Sequence, residues 1–180
     1  EHGPDALDRI AEVKEGTQTI AAYAGAGQRV AGRVYANGIR LEATYDAAKR
    51  ATEWRNKDVM GVDKASFLYG HDKAGNRTFE NRIHDGKADV YRYDGIYEVT
   101  GARYGVPSAD LDPSKVYADY TTFDKEQTWQ FDRVGNRKEF VDGDTTYQYN
   151  PSSNPSSSGA YQPDPVNRYT RILRNGVAID

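Results

Sequence analysis

Two His-Asp neighbours, His71-Asp72 and His84-Asp85, are the residues best equipped by type for acid–base or metal chemistry, since imidazole and carboxylate serve both roles. Their spacing argues against it. Adjacent side chains of a strand point to opposite faces, so neither pair converges on one substrate atom. His71 also occupies an aromatic position that Tyr93 and Phe131 fill in similar stretches. Asp142-Gly143-Asp144 resembles part of a calcium loop, but the spaced carboxylates and distal glutamate of such a loop are missing. Gly25-Ala26-Gly27 lacks the Lys-Ser/Thr that follows in a phosphate loop, and Asn76-Arg77-Thr78 meets the glycosylation pattern inside a repeated turn. The expectation is a chain without catalytic residues, metal ligands or cofactor, and therefore not an enzyme.

The more informative pattern is a duplication. "YGHDKAGNRTFENR" runs from Tyr69 and "WQFDRVGNRKEFVDG" from Trp129, with an aromatic residue, then an aspartate three places on, then Gly-Asn-Arg at matching offsets. The aspartate position recurs at Asp5, Ala24, Asp46, Asp72, Asp94, Asp132 and Asn150, separated by 19, 22, 26, 22, 38 and 18 residues. The gap of 38 spans about two periods, with a degenerate unit inside it. Four or five residues beyond the aspartate position stands a basic residue: Arg9, Arg29, Arg50, Arg77 and Arg137. Glu98 breaks the rule after Asp94.

Each unit carries the signature of strand, turn, strand. Aromatic side chains alternate ahead of the aspartate, as in Tyr91 with Tyr93, Trp129 with Phe131 and Tyr147 with Tyr149, which places each pair on one strand face. In the loop that follows, an aspartate can accept backbone amides two residues on, and Gly27, Gly75 or Gly135 can take a positive φ. The second strand of a unit tends to end in Glu15-Gly16, Asn37-Gly38, Asp85-Gly86, Asp142-Gly143 or Asn175-Gly176, which are hairpin signals. Two kinds of turn therefore alternate along one antiparallel ribbon.

Composition agrees with a thin, sheet-rich chain. The apolar share is 37% over 180 residues, with fourteen tyrosines against one methionine, and mean hydropathy is −0.86. Basic and acidic residues, 24 and 27, are interspersed and leave no cationic stripe for nucleic acid. There is no cysteine and no apolar run long enough to span a membrane.

"YRYDGIYEVTGARYG" (91–105), the two duplicated stretches and "PDPVNRYTRI" (163–172) resemble YD repeats, the tyrosine-aspartate units of the rearrangement hotspot (RHS) and teneurin-like family. The resemblance covers roughly residues 5 to 104 and 128 to 180. It implies an all-β fold, a spiral of antiparallel β-hairpins forming a β-solenoid or partial shell, in proteins that are secreted or displayed at the cell surface. In bacterial toxins of the family such shells encapsulate a C-terminal cargo. The family's self-cleaving core segment, rich in Asp-Pro-Gly signatures, has no counterpart here.

The expected organisation is YD-repeat hairpins over 1–104, a degenerate repeat or insertion over 105–127, and further hairpins over 128–180 with a Pro/Ser-rich loop at 150–166. Asp46, Asp72, Gly75, Arg77, Asp94, Asp132, Gly135 and Arg137 are expected to be structural turn residues, because a recurrent constellation argues for architecture rather than for a substrate site. Both ends cut through a unit, so the chain is expected to be a fragment of a longer shell or a subunit stacking on copies of itself through open strand edges. The alternative is a carbohydrate-binding or adhesive module in which Trp54, Tyr104, Tyr117 and Tyr120 stack on glycans.

Overall fold

Period-two stretches become strands throughout the computed structural model, which describes residues 2–149 and 171–179. The chain divides into two units, Glu1–Ala88 and Asp89–Asp180. The first contains β1 (His2–Pro4), β2 (Ile10–Glu15), β3 (Gln18–Ala26), β4 (Arg29–Tyr35), β5 (Arg40–Tyr45), β6 (Ala51–Lys57), β7 (Asp63–His71) and β8 (Arg77–Arg82). Every strand in it pairs antiparallel with the next, as short hairpin connections require. The second unit holds most of β9 (Lys87–Tyr93), then β10 (Val99–Pro107), β11 (Lys125–Phe131), β12 (Arg137–Asp142), β13 (Thr145–Tyr149), β14 (Ile172–Arg174) and β15 (Val177–Ile179). From β10 onward the same antiparallel succession repeats. No α-helix occurs among the described residues, only single 3₁₀ turns at Ser108–Asp110 and Tyr117–Asp119.

Strand alternation sorts the side chains of the first unit into two kinds of row. Ala43, Trp54, Phe67 and Arg82 stand directly opposite one another across β5 to β8. The other face carries Glu42 opposite Arg55 and Arg40 opposite Lys57, with Lys57 Nζ 2.5 Å from Glu42 Oε2. The second unit builds the same aromatic row from Trp129, Phe140, Tyr147 and Arg174 across β11 to β14. Ring centroids there are 5.5 Å and 5.7 Å apart at interplanar angles of 17° and 21°, offset stacking that adds about 0.5–1.5 kcal/mol per pair.

Few side chains are fully covered. Ala21, Leu41 and Ala43 are buried in the first unit, and Val90, Ala102, Val106 and Tyr120 in the second. A large apolar side chain contributes roughly 1.5–3 kcal/mol when fully buried. With so few, turn hydrogen bonds near 1 kcal/mol each weigh heavily.

The structure corrects several sequence-based expectations. The hairpin nearest Ala24 closes at Ala26 opposite Arg29, so Ala26 rather than Ala24 stands where the other turns place aspartate. The loops beside Glu15 and Asp142 are Gly16-Thr17 and Gly143-Asp144, one residue later than their dipeptides suggest, because glycine takes the first loop position with φ 57° and 56°. No additional hairpin fills the gap of 38: β10 pairs directly with β11, and the intervening residues leave the sheet as an irregular segment. The loop expected at 150–166 and the slot at Asn150 lie outside the described residues.

Candidate functional site: the aspartate joints and what surrounds them

One backbone construction recurs at the turns that begin with aspartate. At Asp72 the N–H donates to the Asn76 carbonyl at 2.9 Å, and the Gly75 N–H returns to the Asp72 carbonyl at 3.2 Å. The carboxylate folds over its own loop, Oδ1 accepting the Gly75 and Asn76 amides at 2.8 Å each while Oδ2 accepts Asn76 Nδ2. Asp132 repeats this, with Val134 N and Asn136 N on Oδ1 and Asn136 Nδ2 on Oδ2. Asp46 and Asp94 likewise accept the amide four residues on, from Arg50 and Glu98, at 2.9 Å. The third residue after each aspartate is left-handed: Asp8, Lys49, Gly75, Tyr97 and Gly135 have φ of 58°, 67°, 100°, 70° and 84°. Glycine suits that position, yet three turns hold it with other residues, so the carboxylate bonds outweigh a steric cost of about 1–2 kcal/mol.

The fourth residue distinguishes the joints. Arg9 Nε lies 2.7 Å from Asp5 Oδ2 and its Nη1 donates to the Gly27 carbonyl of the next hairpin turn on that edge. Arg50 pairs with Asp46 at 2.6 Å and donates to the Asp72 carbonyl, again one turn along, at 2.7 Å. These arginines bolt a turn to its successor. The Arg9 side chain, followed by its backbone amide, holds the Asp5 carboxyl at about 2. Backbone bonding from Arg50, then its guanidinium, pulls Asp46 down, and the Asn76 side chain leads the same shift at Asp72.

Arg77 and Arg137 start one residue later, on the first residues of β8 and β12, and lie over rings. The Arg77 guanidinium is 4.5 Å from the Tyr69 ring centroid and 2.8 Å from Glu80; that of Arg137 is 5.6 Å from Phe140 and 5.5 Å from Tyr149. His71 and His84 do not meet. Burial first, then the charge of Arg50, lowers the His71 pKa, while His84 Nδ1 sits 3.2 Å from the Ser66 amide with its ring edge-on to Phe67. Among the described residues no three His, Asp or Glu side chains gather as a metal site.

The four aromatic residues considered for glycan contact have other occupations. Trp54 is 39% exposed but sits in the cross-strand row opposite Phe67. Tyr120 is buried at 5% exposure and donates its hydroxyl to the Asp112 carbonyl, which overturns its expected place at the surface. Tyr104 OH donates to Gln127 and Tyr117 OH to Glu126.

Sequence reasoning missed two arrangements. Asp58 builds the same joint in the β6–β7 loop, with Oδ1 accepting Met60 N and Val62 N at 2.9 Å and Gly61 at φ 81°. Its Asp-x-x-Gly spacing matches 72–75 and 132–135, which was the available signal. The second is a clamp on the irregular segment. Arg103 donates to the Tyr117 and Tyr120 carbonyls at 2.8 Å and 2.7 Å, pairs with Glu126 at 2.8 Å, and lies 4.5 Å and 4.8 Å from the Tyr117 and Phe123 ring centroids. Nothing local to Arg103 announces this, because Tyr117, Tyr120 and Phe123 come from residues without periodicity, although Glu126 stands opposite it on β11.

No family model and no curated protein matches the sequence. Solved structures do. A chain of the Photorhabdus luminescens Tc holotoxin pore, with a mutated TccC3, superposes at a TM-score of 0.63 and 15% identity over 97% of this chain. A chain of the TcdB2–TccC3–Cdc42 crystal structure does so at 0.62 and 14% over 95%. This chain spans 9% and 11% of those two chains' lengths. At such identity the likeness establishes a shared all-β hairpin fold.

Proposed function

We propose that this chain is a non-enzymatic structural and interaction module of YD-repeat type, a segment of a secreted or surface-displayed β-spiral wall or of an assembly that stacks on its own copies. The observation that carries the reading is the bolted joint: Arg9 and Arg50 each close one turn and bond the carbonyl of the next. Such a bond serves a long array better than an isolated domain, because each hairpin is stabilised chiefly by its neighbours. The partners are accordingly further hairpins of the same parent chain or copies of this one. The fold shared with Tc toxin chains supports a wall-forming role. No described helix is long and apolar enough to cross a membrane.

Light scattering with electron microscopy of the purified chain tests the proposal. Concentration-dependent assemblies of regular curvature are expected, weakened when Arg50 is replaced by Ala. A monodisperse monomer at all concentrations that binds an immobilised glycan, and loses that binding in Trp54→Ala, would overturn it in favour of the adhesive alternative.

A further inference from the structure

The turn at Asp94 carries an acid where Asp5 and Asp46 turns carry a base. Its backbone is the standard joint, with Asp94 N–H donating to the Glu98 carbonyl at 3.0 Å and Asp94 Oδ1 accepting Ile96 N and Glu98 N at 3.0 Å and 2.9 Å. The fourth residue, half-buried Glu98, shares a side-chain hydrogen bond with Asp94, where Arg50 pairs with Asp46 in the corresponding turn. It also reaches the next turn, its Oε1 only 2.9 Å from where a Cβ on Gly135 would sit. The charged groups acting on it are Asp94 from its own turn and Asp132 from the following one, both acidic. Among the described residues no basic group acts on it.

We infer that the Asp94–Glu98 pair is a proton-responsive joint: when Glu98 takes a proton from solvent the two carboxyls share it in one hydrogen bond, and the β9–β10 turn closes more firmly beside the β11–β12 turn. Burial first, then the charge and hydrogen bonding of Asp94, then Asp132, raise the Glu98 pKa above its ordinary 4.5. The sign follows from linkage. A group held above its unfolded value destabilises the fold while ionised, and that penalty is relieved as pH falls through the folded pKa, vanishing below 4.5. The arginine joints respond the other way, since Asp5, held at about 2, loses its stabilising bonds only as pH falls from 3.8 toward that value. This joint tightens in mild acid while its counterparts are unaffected. The inference goes beyond the wall-forming reading and does not depend on it.

Amide hydrogen exchange of the full chain, read by mass spectrometry between pH 7 and pH 5 and corrected for intrinsic exchange, tests it on residues 93–99 with 45–51 as internal reference. Protection of 93–99 is expected to rise toward pH 5, with 45–51 flat. Glu98→Gln, which keeps the hydrogen bond and removes the charge, should show high protection at both pH values, and Glu98→Arg should exceed the wild type at pH 7. An equal pH response in the two turns, a Glu98→Gln chain that keeps the wild-type response, or a Glu98→Arg chain no better protected at pH 7 would each overturn it.

Discussion

The turns at Asp46 and Asp94 share a backbone and differ in almost everything attached to it. In both, the aspartate N–H bonds the carbonyl four residues on, the carboxylate accepts the amide of that residue, and the third residue is left-handed. At Asp46 the fourth side chain is a cation paired at 2.6 Å; at Asp94 it is a second acid. The loop adopts the same path with an attractive or a repulsive pair. Folding of the joint is therefore decided by the aspartate and its amides, and the fourth residue sets how firmly one turn holds the next and at what pH.

Removing the shared part should give the largest effects, graded by the fourth residue. Asp46→Ala is expected to lower Tm by several degrees, because it deletes the amide bonds and leaves Arg50 without its carboxylate. Asp72→Ala, where neutral Asn76 takes the second oxygen, should cost about 1–2 kcal/mol by chemical denaturation. Asp94→Ala should cost least of the three, since losing the amide bonds is partly offset by relieving the Glu98 repulsion; a loss equal to that of Asp46→Ala would show that the acid pair carries no strain. Smaller still is the left-handed position. Tyr97→Gly, at φ 70°, and Lys49→Gly, at φ 67°, should each stabilise by about 0.5–1 kcal/mol after the added unfolded-state entropy of glycine is subtracted, read as a raised denaturation midpoint. The mildest contrast is in acid: the Asp5 and Asp46 joints weaken only as pH falls below 3.8 and their carboxylates protonate, visible as faster exchange at 5–9 and 45–51.

Much of this was legible from residue order alone. Alternating aromatics gave the strands, and recurrent aspartates gave the turns, because both signals are local: a strand's period and a carboxylate's reach to its own loop need nothing distant. What escaped was non-local or turned on a single residue. Arginine four places after aspartate starts within the loop and bonds the carboxylate, as Arg50 does, whereas one place later it starts in a strand and covers rings, as Arg77 does. Closure at Ala26 rather than Ala24 has no composition signal, since alanine occupies both. Tyr120 looked like a surface ring because it lies among turn formers, and only the fold of that segment around Arg103 brings it under cover.

Each joint draws its defining bonds from five consecutive residues. A gene duplication or deletion that copies or drops one such stretch together with its flanking strands brings along everything the corner needs to form. Lineages built this way can change length in whole hairpins, without reinventing any contact far away in the chain.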